Sequence, residues 1–129
     1  MELVVDANIL IAIALSEPEA DWARQSSRSY LAIAPQTLPF EIANALAALA
    51  KRSKLTTVRA HLAFSRAMSA PVALRSIDVA GALRLSCEHK IYAYDGFVLQ
   101  CSLESSAGLL TLDRRLRSVA KRLGIDVKE

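Results

Sequence analysis

Two short strand-like runs each end abruptly in a carboxylate: the wholly apolar Leu3-Val4-Val5 runs into Asp6, and Leu109 to Leu112, apolar but for the β-branched Thr111, runs into Asp113. An uninterrupted apolar run of this length is what a strand looks like when both faces of its sheet are covered, because neither parity can be polar. Between these runs the sequence alternates similar apolar stretches with segments of helical period. Such alternation implies a parallel sheet with helices packed on both faces through right-handed crossovers. Sites in sheets of that kind form beyond the carboxyl ends of the strands. Asp6 and Asp113 are therefore expected on the same edge, where an active site would lie.

The remaining elements follow from punctuation and period. Asn8 to Leu15 continues as a helix that Glu17-Pro18 ends or kinks. Ala20 to Ser29 reads as a second helix, and Leu31 to Ala34 as a buried strand closed by Pro35. Thr37 is a candidate N-cap with Pro39 in the first turn, and Ile42, Ala45, Leu46 and Leu49 hold an amphipathic period to about Ser53. Thr56 or Thr57 caps a further helix to about Ser69, with Val58, Leu62 and Phe64 or Ser65 facing inward. Val72-Ala73-Leu74 is a short strand. Asp78 to Lys90 and Asp95 to Ser105 read as helices. The helix opened by Asp113 turns Leu116, Val119, Ala120 and Leu123 inward and stops at Gly124, after which Ile125 to Val127 adds an edge strand. Neither repeat nor linker divides residues 1–129, and a length of 129 suits one domain. The expected architecture is thus a single three-layer α/β/α domain with a central, mostly parallel sheet.

Four acids stand out by their surroundings: Asp6, Glu41, Asp95 and Asp113. Each has an ordinary structural explanation, since Asp6, Asp95 and Asp113 precede helices, where Asp is a favoured cap, and Glu41 falls in a first turn facing the helix dipole. Yet each lies among apolar neighbours: Val5 and Ala7, Phe40 and Ile42, Tyr94 and Phe97, Leu110 and Leu112. A buried, unpaired carboxylate costs several kcal/mol, and clustered like charges demand either protons or a cation. An oxygen-only donor set without His or Cys selects hard ions such as Mg²⁺ or Mn²⁺. Asn8 and the Thr111 hydroxyl would line the same edge as supporting or phosphate-contacting groups.

The charge distribution points to a polyanionic partner. Setting the four acids aside leaves nine acidic residues against sixteen Lys and Arg, a balance of +7. Lys51, Arg52, Lys54, Arg59, Arg66 and Arg75 lie in one acid-free stretch, and Arg114, Arg115, Arg117, Lys121 and Arg122 in another. Such stretches attract nucleic-acid backbones, although a solvated basic face has the same composition. Lys51, Arg52, Arg114 and Arg115 are the candidates for contact with such a backbone. The two cysteines, Cys87 and Cys101, lack the spacing of a disulfide framework or zinc site and are expected as small buried hydrophobes. No stretch has the pattern of a secretory signal or membrane span, so a cytoplasmic protein is the default expectation.

In their order and spacing these motifs resemble the signatures of PIN-domain nucleases. Asp6-Ala7-Asn8-Ile9-Leu10 is similar to the first, Pro39-Phe40-Glu41-Ile42-Ala43-Asn44-Ala45-Leu46 to the second, Tyr94-Asp95-Gly96-Phe97 to the third, and Leu110-Thr111-Leu112-Asp113-Arg114-Arg115-Leu116 to the fourth. The resemblance is greatest to the VapC-type toxins of toxin–antitoxin pairs. Asn8 stands where Ser is frequent, and Gly96 where Ala is more usual, a change expected to weaken the helix slightly. The resemblance implies a PIN-like fold and cleavage of single-stranded RNA at one or two Mg²⁺ or Mn²⁺ ions held by Asp6, Asp95 and Asp113. Glu41 would be a further ligand or would orient the attacking water. It also implies a protein antitoxin as partner and a homodimer. Three other readings are open: a haloacid-dehalogenase-type phosphatase, which wants a second Asp where Asn8 stands; a phosphorylatable receiver, which wants paired acids and a late Lys; and an inactive PIN-like scaffold binding RNA or protein.

Overall fold

The structure is a computed structural model that describes all 129 residues. In chain order its elements are β1 (Glu2–Val5), α1 (Ala7–Ala14), α2 (Ala20–Ser27), β2 (Leu31–Pro35), α3 (Leu38–Lys51), α4 (Thr57–Met68), β3 (Val72–Arg75), α5 (Val79–His89), α6 (Ala93–Ser105), β4 (Gly108–Leu110) and α7 (Arg114–Arg122). The strands pair in the order β3-β2-β1-β4, and every pair is parallel. The expectation of a three-layer α/β/α domain holds.

The apolar strands divide their side chains between two cores, as a period of two requires. On one face Val4, Ile33 and Leu109 pack with Leu85, Val98, Leu116 and Val119 from α5, α6 and α7. On the other, Leu3, Val5 and Leu110 meet Ile9 and Ala23, and Ala34 meets Leu10, Ile42, Leu46 and Ala63. Burying both faces makes β1 the centre of the molecule, with Leu3 and Val4 fully inaccessible. The chain leaving its carboxyl end is held in place by the sheet itself.

Several expected details differ. In α4 the inward face is Ala60, Ala63, Phe64 and Ala67, whereas Val58 and Leu62 are 77% and 47% exposed. Small residues let α4 approach α1 and α3 closely, so backbone proximity rather than side-chain size sets its buried stripe. The last strand ends at Leu110 instead of Leu112, and the 125–127 segment contributes a single bridge from Val127 to Leu109. Thr37 holds the N-cap position of α3 but makes no capping hydrogen bond. Helix α6 begins at Ala93, which moves Asp95 from before the helix into its first turn. Cys101 is buried as expected, but Cys87 is exposed.

Gly96 acquires a packing role that helix propensity does not reveal. A Cβ there would lie 2.1 Å from Ser86 Oγ and 2.6 Å from the Ala82 carbonyl oxygen, so Gly96 lets α6 cross α5 at backbone contact. Gly96→Ala is therefore expected to destabilise the domain by about 1–3 kcal/mol, the usual cost of overpacking, despite a helix-propensity gain of about 1 kcal/mol. Urea unfolding of the two proteins measures it, and a more stable Ala variant would contradict this packing account.

Candidate active site

Asp6 is placed by the sheet. Its N–H donates to the Leu110 carbonyl at 3.0 Å, continuing the β1–β4 ladder one residue past the strand. Its backbone is extended, and Oδ1 accepts from the Ala7 N–H at 2.8 Å, capping α1. Oδ2 accepts from the Thr111 hydroxyl at 2.7 Å and from Asn8 Nδ2 at 3.2 Å. The residue is 3% exposed, so its carboxylate is lodged in the protein rather than offered on a flexible arm.

Thr111 is the hub of this edge. It is fully buried, and besides donating to Asp6 its hydroxyl accepts from Asn8 Nδ2 and from the Asp113 N–H, each at 3.1 Å. Asn8 Oδ1 in turn accepts from the Leu112 N–H at 3.1 Å. This network replaces sheet pairing after Leu110, which is why β4 stops there. Asp113 then caps α7, with Oδ1 accepting from the Arg115 and Leu116 N–H groups at 2.8 and 3.1 Å. Its Oδ2 has no protein partner among these hydrogen bonds and stands on an exposed residue. Capping α7 therefore occupies one oxygen of Asp113 and leaves the other outside the cap.

Replacing Thr111 by Val keeps the shape and removes the hub. Loss of supporting hydrogen bonds to ligating carboxylates costs about 10–100-fold in metal affinity or activity, and the stranded Asp113 N–H and Asp6 oxygen cost about 1–3 kcal/mol of stability. Thr111→Ser should restore most of both. Metal titration and thermal melting of the three proteins check this; a Val variant equal to wild type would remove Thr111 from the site.

Glu41 projects from the first turn of α3 and Asp95 from the first turn of α6, on opposite sides of the sheet edge. Electrostatics shows that the four acids converge. Burial, opposed by its hydrogen bonds from Thr111 and Ala7, raises the Asp6 pKa, and the Asp113 charge raises it further. Burial and the Asp6 and Asp95 charges push Glu41 up to about 8. Burial and the Asp6 and Asp113 charges push Asp95 up to about 6, against the pull of Arg115. Across one edge, then, the Asp6 charge acts on Glu41 and Asp95, the Asp95 charge on Glu41, and the Asp113 charge on Asp6 and Asp95.

This cluster fits a hard divalent cation by its chemistry. All the coupled groups are carboxylates, which suits Mg²⁺ or Mn²⁺ and excludes a thiolate or imidazole site. No three His, Cys, Asp or Glu side chains stand already closed to ligand spacing about one point. A cation bound among these carboxylates would offset their mutual repulsion.

The basic candidates separate. Arg115 donates from Nη2 to the Lys90 carbonyl at 2.7 Å and lines, with Lys90, Ile91, Tyr92, Asp95 and Asp113, a cleft of about 470 Å³. Arg114 is exposed at the same helix start. Lys51 and Arg52 lie at the opposite end of α3, about 15 Å along its axis from Glu41 at 1.5 Å per residue. Neither Lys90 nor Tyr92 stands out in sequence as a site residue, and Arg117 stands out only as part of a basic stretch. Arg117 Nε donates to the Thr111 carbonyl at 2.8 Å while its guanidinium stacks over Trp22, tying the end of β4 to α2.

A parallel α/β/α domain with a carboxylate cluster beyond its strand ends is the arrangement of a nuclease-type hydrolase. The chain belongs to the PIN-domain family, whose sequence pattern matches residues 3–122. Comparison with curated proteins returns no match. Among solved structures the chain is similar to PAE2754 from Pyrobaculum aerophilum, at 23% identity and a TM-score of 0.75, covering 98% of this chain and 89% of that one. It is also similar to a chain of VapBC2 from Rickettsia felis bound to a DNA fragment from their promoter, at 10% identity and a TM-score of 0.65, covering 99% and 98%. At these identities the likeness is one of fold. Family membership sets aside the phosphatase and receiver readings. No helix is long and apolar enough to cross a membrane.

Proposed function

We propose that the protein is a divalent-metal-dependent endoribonuclease and serves as the toxin of a toxin–antitoxin pair. The observation that carries the reading is the convergence of Asp6, Glu41, Asp95 and Asp113 on one edge of a PIN-domain sheet, with Glu41 and Asp95 held well above ordinary carboxylate pKa values. Asp6, Asp95 and Asp113 would hold Mg²⁺ or Mn²⁺, and Glu41 would complete the set or orient the attacking water. A bound ion there supplies a more acidic water and stabilises charge on the scissile phosphate. Asn8 and Thr111 keep Asp6 and Asp113 in register through the hydrogen bonds they share. Arg114 and Arg115 hold the RNA backbone beside the acids, and Lys51 and Arg52 engage it farther along the strand by charge alone.

An antitoxin fits the apolar groove between α3 and α4, about 430 Å³ in volume and floored by Ala43, Ala47, Ala50 and Ala60 beside Leu46 and Phe64. Small residues there allow an amphipathic helix to lie close. The active form is proposed to be a cytoplasmic homodimer.

The test is incubation of purified protein with single-stranded and structured RNA in Mg²⁺, Mn²⁺ or EDTA. Cleavage that needs metal is the expected result. Cleavage in EDTA would sink the mechanism, and a well-folded protein that cuts no RNA would be an inactive scaffold. Toxicity is read by controlled bacterial expression of wild type and Asp95→Asn, where equal growth would count against a toxin.

A further inference from the structure

Tyr92 breaks two local rules at once. It occupies the N-cap position of α6, where Asn, Asp, Ser or Thr would satisfy a free helix N–H, and it makes no capping hydrogen bond. It is also 86% exposed, in a chain with only three Tyr, three Phe and one Trp. A residue that neither caps its helix nor packs in the core, beside a functional cluster, marks a place where local stability yields to another requirement.

Its surroundings say which one. Tyr92 lines the same 470 Å³ cleft as Asp95 and Asp113, together with Lys90, Ile91 and Arg115. That volume falls within the range of about 300–1,000 Å³ typical of small-ligand sites. Lys90 reaches this position through a left-handed backbone, φ 54° and ψ 49°, that turns the chain sharply between α5 and α6. The Arg115 guanidinium is fixed by its bond to the Lys90 carbonyl, leaving its other donors free to meet an anion. One cleft therefore combines an exposed aromatic face, two cationic side chains and two of the carboxylates.

We infer that this cleft is a nucleotide subsite: a base flanking the scissile bond stacks on the Tyr92 ring while its phosphate lies against Arg115 and Lys90. This rests on the nuclease reading and adds to it a positioning residue and a requirement for an unpaired base at one fixed place. Stacking needs a splayed nucleotide, which a duplex does not offer. Because the aromatic face takes any base, Tyr92 sets where the strand lies rather than which sequence is cut.

The test uses the full chain carrying Asp6→Asn to prevent turnover, with single-stranded RNA in which 2-aminopurine or an abasic ribose replaces one base at successive positions. Tyr92→Ala is expected to weaken binding by about 5- to 100-fold, as loss of one base–aromatic stack does, and to relieve 2-aminopurine quenching at one position. Tyr92→Phe should bind like Tyr. With the abasic ribose at that position, the Tyr92→Ala protein and its Tyr-containing parent should bind alike, which a merely structural role for the ring would not produce. Unchanged binding by Tyr92→Ala, an equal loss with intact and abasic RNA, or loss of antitoxin binding alone would overturn the inference. Metal-dependent cleavage by the Asp6-containing Tyr92→Ala protein at the wild-type rate would likewise overturn it and leave the nuclease reading intact. That reading fails separately, when the wild-type protein cuts no RNA.

Discussion

Asp6→Asn is expected to reduce RNA cleavage by at least about 100-fold, since on the proposed reading a metal ion held at this edge would supply several kcal/mol of transition-state stabilisation and each 1.36 kcal/mol is tenfold. The fold should survive. The Asn Oδ1 still caps α1 at Ala7, and the neutral amide removes the desolvation that raises the Asp6 pKa. The amide NH₂ in place of Oδ2 can accept neither from Asn8 Nδ2 nor from the Thr111 hydroxyl, so these losses oppose the relief of desolvation. A large loss of activity with a melting temperature within a few degrees of wild type distinguishes a catalytic carboxylate from a structural cap. Full activity in this variant, or unfolding as its only effect, would return Asp6 to the role of an N-cap.

The second large effect is on pH. Glu41 and Asp95 titrate near 8 and 6 in the metal-free protein, against reference values of 4.5 and 3.8. A carboxyl whose pKa is higher folded than unfolded binds more protons in the folded state. Its contribution to stability is fully present below the unfolded pKa and is lost as pH rises through the folded one. The metal-free protein should therefore melt at progressively lower temperature from about pH 5 to pH 8, in EDTA and at constant ionic strength. Glu41→Gln should remove most of the slope above pH 6. Saturating Mn²⁺ should flatten the profile, because the cation takes the place of the protons. The same protons compete with the metal, so its affinity should rise with pH by up to about tenfold per unit for each proton displaced. A flat or rising melting profile from pH 6 to 8 in EDTA, or an unchanged slope in Glu41→Gln, would contradict the coupled cluster.

Asp113 lies three residues past the end of β4 rather than directly after it, but it and Asp6 were legible from sequence through one inference, that a largely apolar run is a buried parallel strand. Both cores confirm it, with Leu3, Val5 and Leu110 facing one layer and Val4 and Leu109 the other. Thr111 and Asn8 were legible as neighbours of those acids, but not as a hub, because hydrogen bonds spanning more than a hundred residues follow from register rather than from composition. Helix α4 misled for the opposite reason. Val58 and Leu62 are the larger residues, yet the Ala63–Ala67 stripe is buried, since the partner helices determine which face is close. Gly96 was read through helix propensity, while the α5–α6 crossing that requires it is tertiary. The basic residues divided for a geometric reason as well: Arg115 sits two residues from Asp113 at the start of α7, whereas Lys51 and Arg52 lie at the far end of α3 from Glu41.

Bound Mn²⁺, counted by electron paramagnetic resonance at pH 8, tests the central claim most directly. The wild-type protein should take up Mn²⁺ with Mg²⁺ competing, and Asp6→Asn and Asp95→Asn should each weaken that uptake by at least about tenfold while remaining folded. A folded wild-type protein that binds no Mn²⁺, or variants that bind it as tightly as wild type, would contradict the assignment of these carboxylates to a metal-dependent nuclease site.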